Sequence, residues 1–204
     1  MKIRLYRGLL LAAFILLFFQ NRLPAYDEPG YHSFVTAKTL VVINTKYREY
    51  PQDSFLADEI TSEEIITLKE EMDAASAFFF RNSNLRVVID IDEYLVLDRE
   101  LNLSDFTRVG DGYYLDPSFL APTLLAEGYL DRGYTTIVSV YAWKDTDTAR
   151  VAHGAGTLGG SHTSLSGAAY IDLPLCFGIK NVVRGIIGHE YLHVFESLHE
   201  EQGL

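Results

Sequence analysis

Four short apolar runs, the first three separated by segments expected to include helices and the last two by a polar, glycine-rich stretch, constrain the fold of this chain more than any other feature. Leu40, Val41, Val42 and Ile43 lie within 39–44, and Val87, Val88 and Ile89 lie within 85–91. Ile137, Val138, Val140 and Tyr141 lie within 134–143, and the fourth run, 168–173, ends near Pro174. Runs of this length, rich in β-branched and aromatic residues, read as strands. Between the first two, Thr61 and Glu64 have the spacing of a capping box, with Ser62 as the rival cap. Ile65, Leu68, Met72 and Ala75 then recur at helical spacing, which predicts a helix to about Phe80, ended by Asn82, Ser83 and Asn84. In the middle region 92–132, Pro117 and Pro122 bracket a segment expected to continue as a helix over 123–132 and to end at Gly133. A last helix is expected from Asn181 to about Phe195, with Val182, Val183, Ile186, Ile187 and Leu192 on its apolar face. Strands alternating with helices imply an α/β or α+β fold with a mostly parallel sheet and helices packed on it.

The first 25 residues have a different character. Lys2, Arg4 and Arg7 precede an apolar run from Leu9 to Phe19, and Pro24 and Ala25 follow. This is the layout of a secretory signal, and the run is shorter than the roughly 20 residues a membrane span needs. An uncleaved anchor over residues 5–20 is the alternative, and the membrane is a partner only in that case. We therefore expect a leader over 1–25, a linker over 26–38 containing Pro29 and Gly30, a body from 39 onward, and a location outside the cytoplasm. Removing the leader's four basic residues leaves 13 basic against 28 acidic, a net charge of −15. Such a body repels nucleic acid phosphates, so a nucleic-acid-binding role is not expected. Cys176 is the only cysteine, which excludes an internal disulfide. Its apolar setting suggests a buried small side chain.

The chemistry-bearing segment is His189-Glu190-Tyr191-Leu192-His193, the pattern HExxH on the last helix. Residues four apart on a helix share one face about 5–6 Å apart, so both imidazoles can reach one ion. Zinc takes neutral imidazole nitrogens, and Glu190, one position on, stands beside the metal as a base for its water. Gly188 is expected to leave room beside the metal. A catalytic zinc needs a third protein ligand.

The continuation HEYLHVFESLH places His199 ten residues after His189. This resembles the metzincin clan of zinc peptidases, whose longer pattern is HExxHxxGxxH. The resemblance implies a twisted, mostly parallel sheet with an antiparallel edge strand, a backing helix and a zinc-binding helix. It implies zinc held by His189, His193 and His199, with Glu190 as catalytic base. It also implies a protein or peptide substrate aligned along the edge strand, for which 154–160 is the candidate, with Gly154, Ala155, Gly156, Thr157 and Leu158 as substrate-binding positions. The expected activity is a secreted zinc metalloendopeptidase. Two positions depart from the clan. Glu196 replaces the glycine that ends the helix and turns the third histidine back. No methionine follows the motif to form the clan's methionine turn. If the helix continued through Glu196, His199 would fall about 15 Å further along and roughly 80° around the axis. A non-catalytic zinc-binding relative, or a gluzincin-type domain whose third ligand lies beyond residue 204, are the other readings.

Other candidates carry less. His153 and His162 flank the glycine-rich stretch without a recognised ligand spacing. The glycines lack a following GK[ST], and Ser161, Ser164 and Ser166 lack a nucleophile elbow. Asp90, Asp92 and Glu93 read as a solvated strand end, since they lack the glycine and terminal glutamate of a calcium loop.

Overall fold

The structure, a computed structural model, describes residues 35–49, 56–84, 86–109, 112–142, 163–175 and 186–201. Its main sheet has five strands, β1 (Val35–Glu49), β2 (Leu56–Glu59), β3 (Val87–Leu101), β6 (Thr136–Tyr141) and β7 (Ala169–Pro174). β3, β1, β6 and β7 lie side by side in that order and all pair in parallel. β2 pairs antiparallel with the end of β1, Lys46 to Glu49, on the edge of β1 that β6 leaves after Asn44. Two further strands, β4 (Phe106–Val109) and β5 (Gly112–Leu115), form a separate antiparallel pair. The helices are α1 (Ser62–Asn82), α2 (Pro117–Ala126) and α3 (Gly188–Glu201). The α/β class and the mostly parallel sheet agree with the expectation from the sequence. Within the main sheet the antiparallel strand among the described residues is β2, whereas the expected edge at 154–160 lies outside them.

β6 and β7 are buried at every position, as parallel strands covered on both faces must be. Leu40, Val41, Val42 and Ile43 of β1 are fully buried beside them. Alternation along these strands sends neighbouring residues to opposite faces. On one face, Thr39 of β1 meets Tyr191 of α3, and Phe79 of α1 packs against Tyr191 and Phe195. On the other, Tyr141, Tyr170 and Asp172 meet Leu115 of β5. Helices α1 and α3 thus cover one side, and the β4–β5 pair covers the other.

α1 begins as the sequence predicts. The Thr61 hydroxyl accepts from the Glu64 amide, and the Glu64 carboxylate accepts from the Thr61 amide, closing a full capping box. Two expectations need correction. α2 starts at Pro117, with Asp116 as its cap, and ends at Ala126 rather than Arg132. Proline suits the first helical turn, where no amide partner is required, so Pro117 opens the helix instead of bracketing it. β3 extends to Leu101, far beyond the expected 91. Asp90, Asp92 and Glu93 therefore lie within a strand and not at its end. Asp92 pairs with Lys38 at 3.6 Å and Glu93 with Arg132 at 2.6 Å, while the Tyr134 and Tyr129 hydroxyls donate to the same two carboxylates.

Candidate metal centre on helix α3

Helix α3 follows a single π-type turn at Ile186 and Ile187, a distortion often found beside functional positions. Its rotation on the sheet follows from which residues it buries. Ile187, Tyr191 and Val194 are buried, and Phe195 packs against Phe79. At about 100° per residue these positions share one face. His189 and His193 lie on the opposite face, with Tyr191 about 180° from the midpoint between them. His189 is exposed and His193 is half-buried.

The two imidazoles converge. Their Nε2 atoms are 3.2 Å apart, with ring centroids at 4.8 Å and planes at 88°. Two nitrogens each about 2.05 Å from a tetrahedral zinc would stand roughly 3.3 Å apart. The observed 3.2 Å lies close to that separation. With both rings neutral, one Nε2–H donates to the other nitrogen.

Glu190 lies on the flank of the helix between the histidine face and the packed face. It is 5 % exposed. Its negative charge is also felt at Asp172, a fully buried side chain in β7. Burial pushes the Asp172 carboxyl well above the ordinary aspartate range, and the charge on Glu190 adds to that shift. Hydrogen bonds from the Tyr141 hydroxyl, the Leu115 amide and Tyr170 act the other way. The Tyr141 hydroxyl donates to Asp172 at 2.8 Å and the Leu115 amide at 3.4 Å.

Among the described residues, no three His, Cys, Asp or Glu side chains converge as a metal-binding group. The expectation that His199 completes the set required the chain to turn back at Glu196. The backbone of α3 is instead helical through Glu196 to Glu201, and the side chains from 196 onward lie outside the described residues. On an unbroken helix, position 199 stands about 15 Å beyond His189 and cannot share its ion. A Cβ at Gly188 would meet no protein atom within 4 Å. Gly154, Ala155, Gly156, Thr157 and Leu158, with His153, His162 and Cys176, lie outside the described residues, as do the leader, residues 26–34 of the expected 26–38 linker and the predicted helix start at 181–185; the rest of that linker, 35–38, is instead the start of strand β1. A groove between α1 and β3, with Asp73, Phe80, Val88 and Ile91 in its wall, includes none of the motif residues. Among the described residues, no helix is long and apolar enough to cross a membrane.

Sequence reasoning did not single out Thr39, Tyr141, Tyr170 or Asp172. A signal for Asp172 was present, since an aspartate inside AYIDLP breaks an otherwise apolar strand and must be accommodated in the core. Comparison of the chain with family models, with curated proteins and with solved structures gives no match.

Proposed function

We propose that this protein is a zinc-dependent peptidase of the HExxH type, with His189 and His193 as metal ligands and Glu190 as catalytic base. The observation that carries the reading is the 3.2 Å separation of the two Nε2 atoms, which suits two bonds to one tetrahedral ion. Zinc held there would supply a Lewis acid that polarises a peptide carbonyl and lowers the pKa of water towards neutrality. The Glu190 carboxylate takes the proton from the water that attacks the carbonyl carbon. It then delivers that proton to the amine nitrogen as the C–N bond breaks.

By resemblance to the metzincins, an extended peptide would align along the main chain of residues 154–158. The leader reading makes the enzyme extracytoplasmic.

A second reading is a zinc-binding domain without peptidase activity, favoured by the continuation of α3 through Glu196. Glu190→Gln separates the two. In a peptidase, hydrolysis of an unfolded protein is expected to fall by about 10²–10⁴-fold while bound zinc is retained. Equal hydrolysis by wild type and variant would rule out the catalytic role.

A further inference from the structure

The separation of the two imidazoles is internal to α3, but the direction in which they present an ion is set by how the helix is rotated on the sheet. A side-chain tip about 6 Å from the axis moves about 1.5 Å for a rotation of 15°. Binding constellations tolerate only about 0.5 Å and 10–20° of error. Apolar packing by Ile187, Val194 and Phe195 resists such rotation only softly, because hydrophobic contact is non-directional. A hydrogen bond on the face opposite the histidines would resist it directionally.

Tyr191 makes such a bond. It is fully buried, and its hydroxyl is 2.9 Å from Thr39 Oγ1, also fully buried. The Thr39 hydroxyl is 3.0 Å from the Ala37 carbonyl, which can only accept. Thr39 therefore donates to Ala37, and the Tyr191 hydroxyl donates to Thr39. Thr39 sits in β1, with β6 paired to it at Thr136 and β3 at Ile91, so the acceptor is fixed in the interior of the sheet. The Tyr191 ring is held in turn between Phe79, with centroids at 6.3 Å, and Phe195, stacked at 6.0 Å.

We propose that Tyr191 is a positioning residue: its bond to Thr39 locks the rotation of α3 and so fixes the direction in which the His189–His193 pair presents an ion. The proposal rests on the reading of that pair as a metal centre. Tyr191→Phe removes the bond but leaves the Thr39 hydroxyl bonded to Ala37, so no buried donor is stranded and the fold is expected to survive.

The experiment uses the full chain and Co²⁺ as the probe, with affinity and visible absorption measured for wild type, His193→Ala, Tyr191→Phe, Thr39→Val and Thr39→Ser. Wild type is expected to bind and His193→Ala to lose binding. Tyr191→Phe and Thr39→Val are each expected to weaken Co²⁺ binding roughly tenfold and to change the absorption spectrum. Thr39→Ser, which keeps the acceptor, is expected to match wild type. A merely structural bond would lower melting temperature in Tyr191→Phe and Thr39→Val without altering affinity or spectrum, and that result overturns the proposal. Should Tyr191→Phe fail to fold, the Thr39→Val and Thr39→Ser pair decides alone. If wild type and His193→Ala bind Co²⁺ alike, the metal reading itself fails and the positioning role falls with it. If wild type binds, His193→Ala does not and Tyr191→Phe equals wild type, only the positioning role fails.

Discussion

Asp172 is an acid buried completely, in a strand that is itself buried at every position. Burial raises its pKa in the folded chain, so the folded state holds a proton that the unfolded chain releases. Its contribution to stability is therefore fully present below the ordinary aspartate value of 3.8 and is lost as pH rises towards the raised folded value. For one such group the loss is about 1.4 kcal/mol per pH unit until the folded carboxyl itself ionises. Asp172→Asn, which stays neutral in both states, is expected to gain stability over wild type from pH 4 to pH 7. Urea unfolding at pH 4, 5.5 and 7 tests this, and a gap that does not change with pH would refute it. The sequence made His189, Glu190 and His193 legible, because their spacing encodes shared helical geometry directly. It hid Tyr191 and Thr39, because two such residues 152 positions apart announce no contact until the fold brings them together.

Among the elements, those with a local chemical signature were the readable ones. The Thr61–Glu64 capping box placed the start of α1 to the residue, and Thr61→Ala is expected to cost about 1 kcal/mol, measured as a lower midpoint in urea unfolding. β3 was cut short because Asp90, Asp92, Glu93 and Asp98 interrupt its apolar pattern. An edge strand tolerates those charges on its solvent side, where they also discourage pairing with other chains. α2 starts earlier than its expected 123–132 because Asp116 caps it and makes Pro117 a first-turn proline. For α3, the eleven-residue pattern points to His199, but a helix unbroken at Glu196 takes that position off the face shared by His189 and His193. Accordingly, His199→Ala is expected to leave zinc affinity within about twofold of wild type, whereas His193→Ala lowers it by 10²-fold or more. Competition against a chromophoric chelator measures both, and comparable losses in the two variants would show that the end of α3 unwinds to bring His199 in.

For the molecule as a whole, the metal centre proposed on α3 would also be a clasp. The helix is tied to the sheet by the Tyr191–Thr39 bond and to α1 by contacts of Phe79 with Tyr191 and Phe195. A ligand that binds only the folded chain stabilises it by mass action. Zinc at one hundred times its dissociation constant adds about 2.7 kcal/mol. For a chain of this length each kcal/mol is worth about 2–4 °C in melting temperature, so zinc is expected to raise it by roughly 5–10 °C. Excess chelator should return the melting curve to its starting position. His193→Ala should show no shift with zinc, because a single imidazole cannot grip the ion as two converging nitrogens do. Glu190→Gln should keep the full shift, since it removes a proton acceptor and not a ligand. A shift that is lost in Glu190→Gln and kept in His193→Ala would invert the assigned roles and move the metal from the histidine face to the buried flank of the helix.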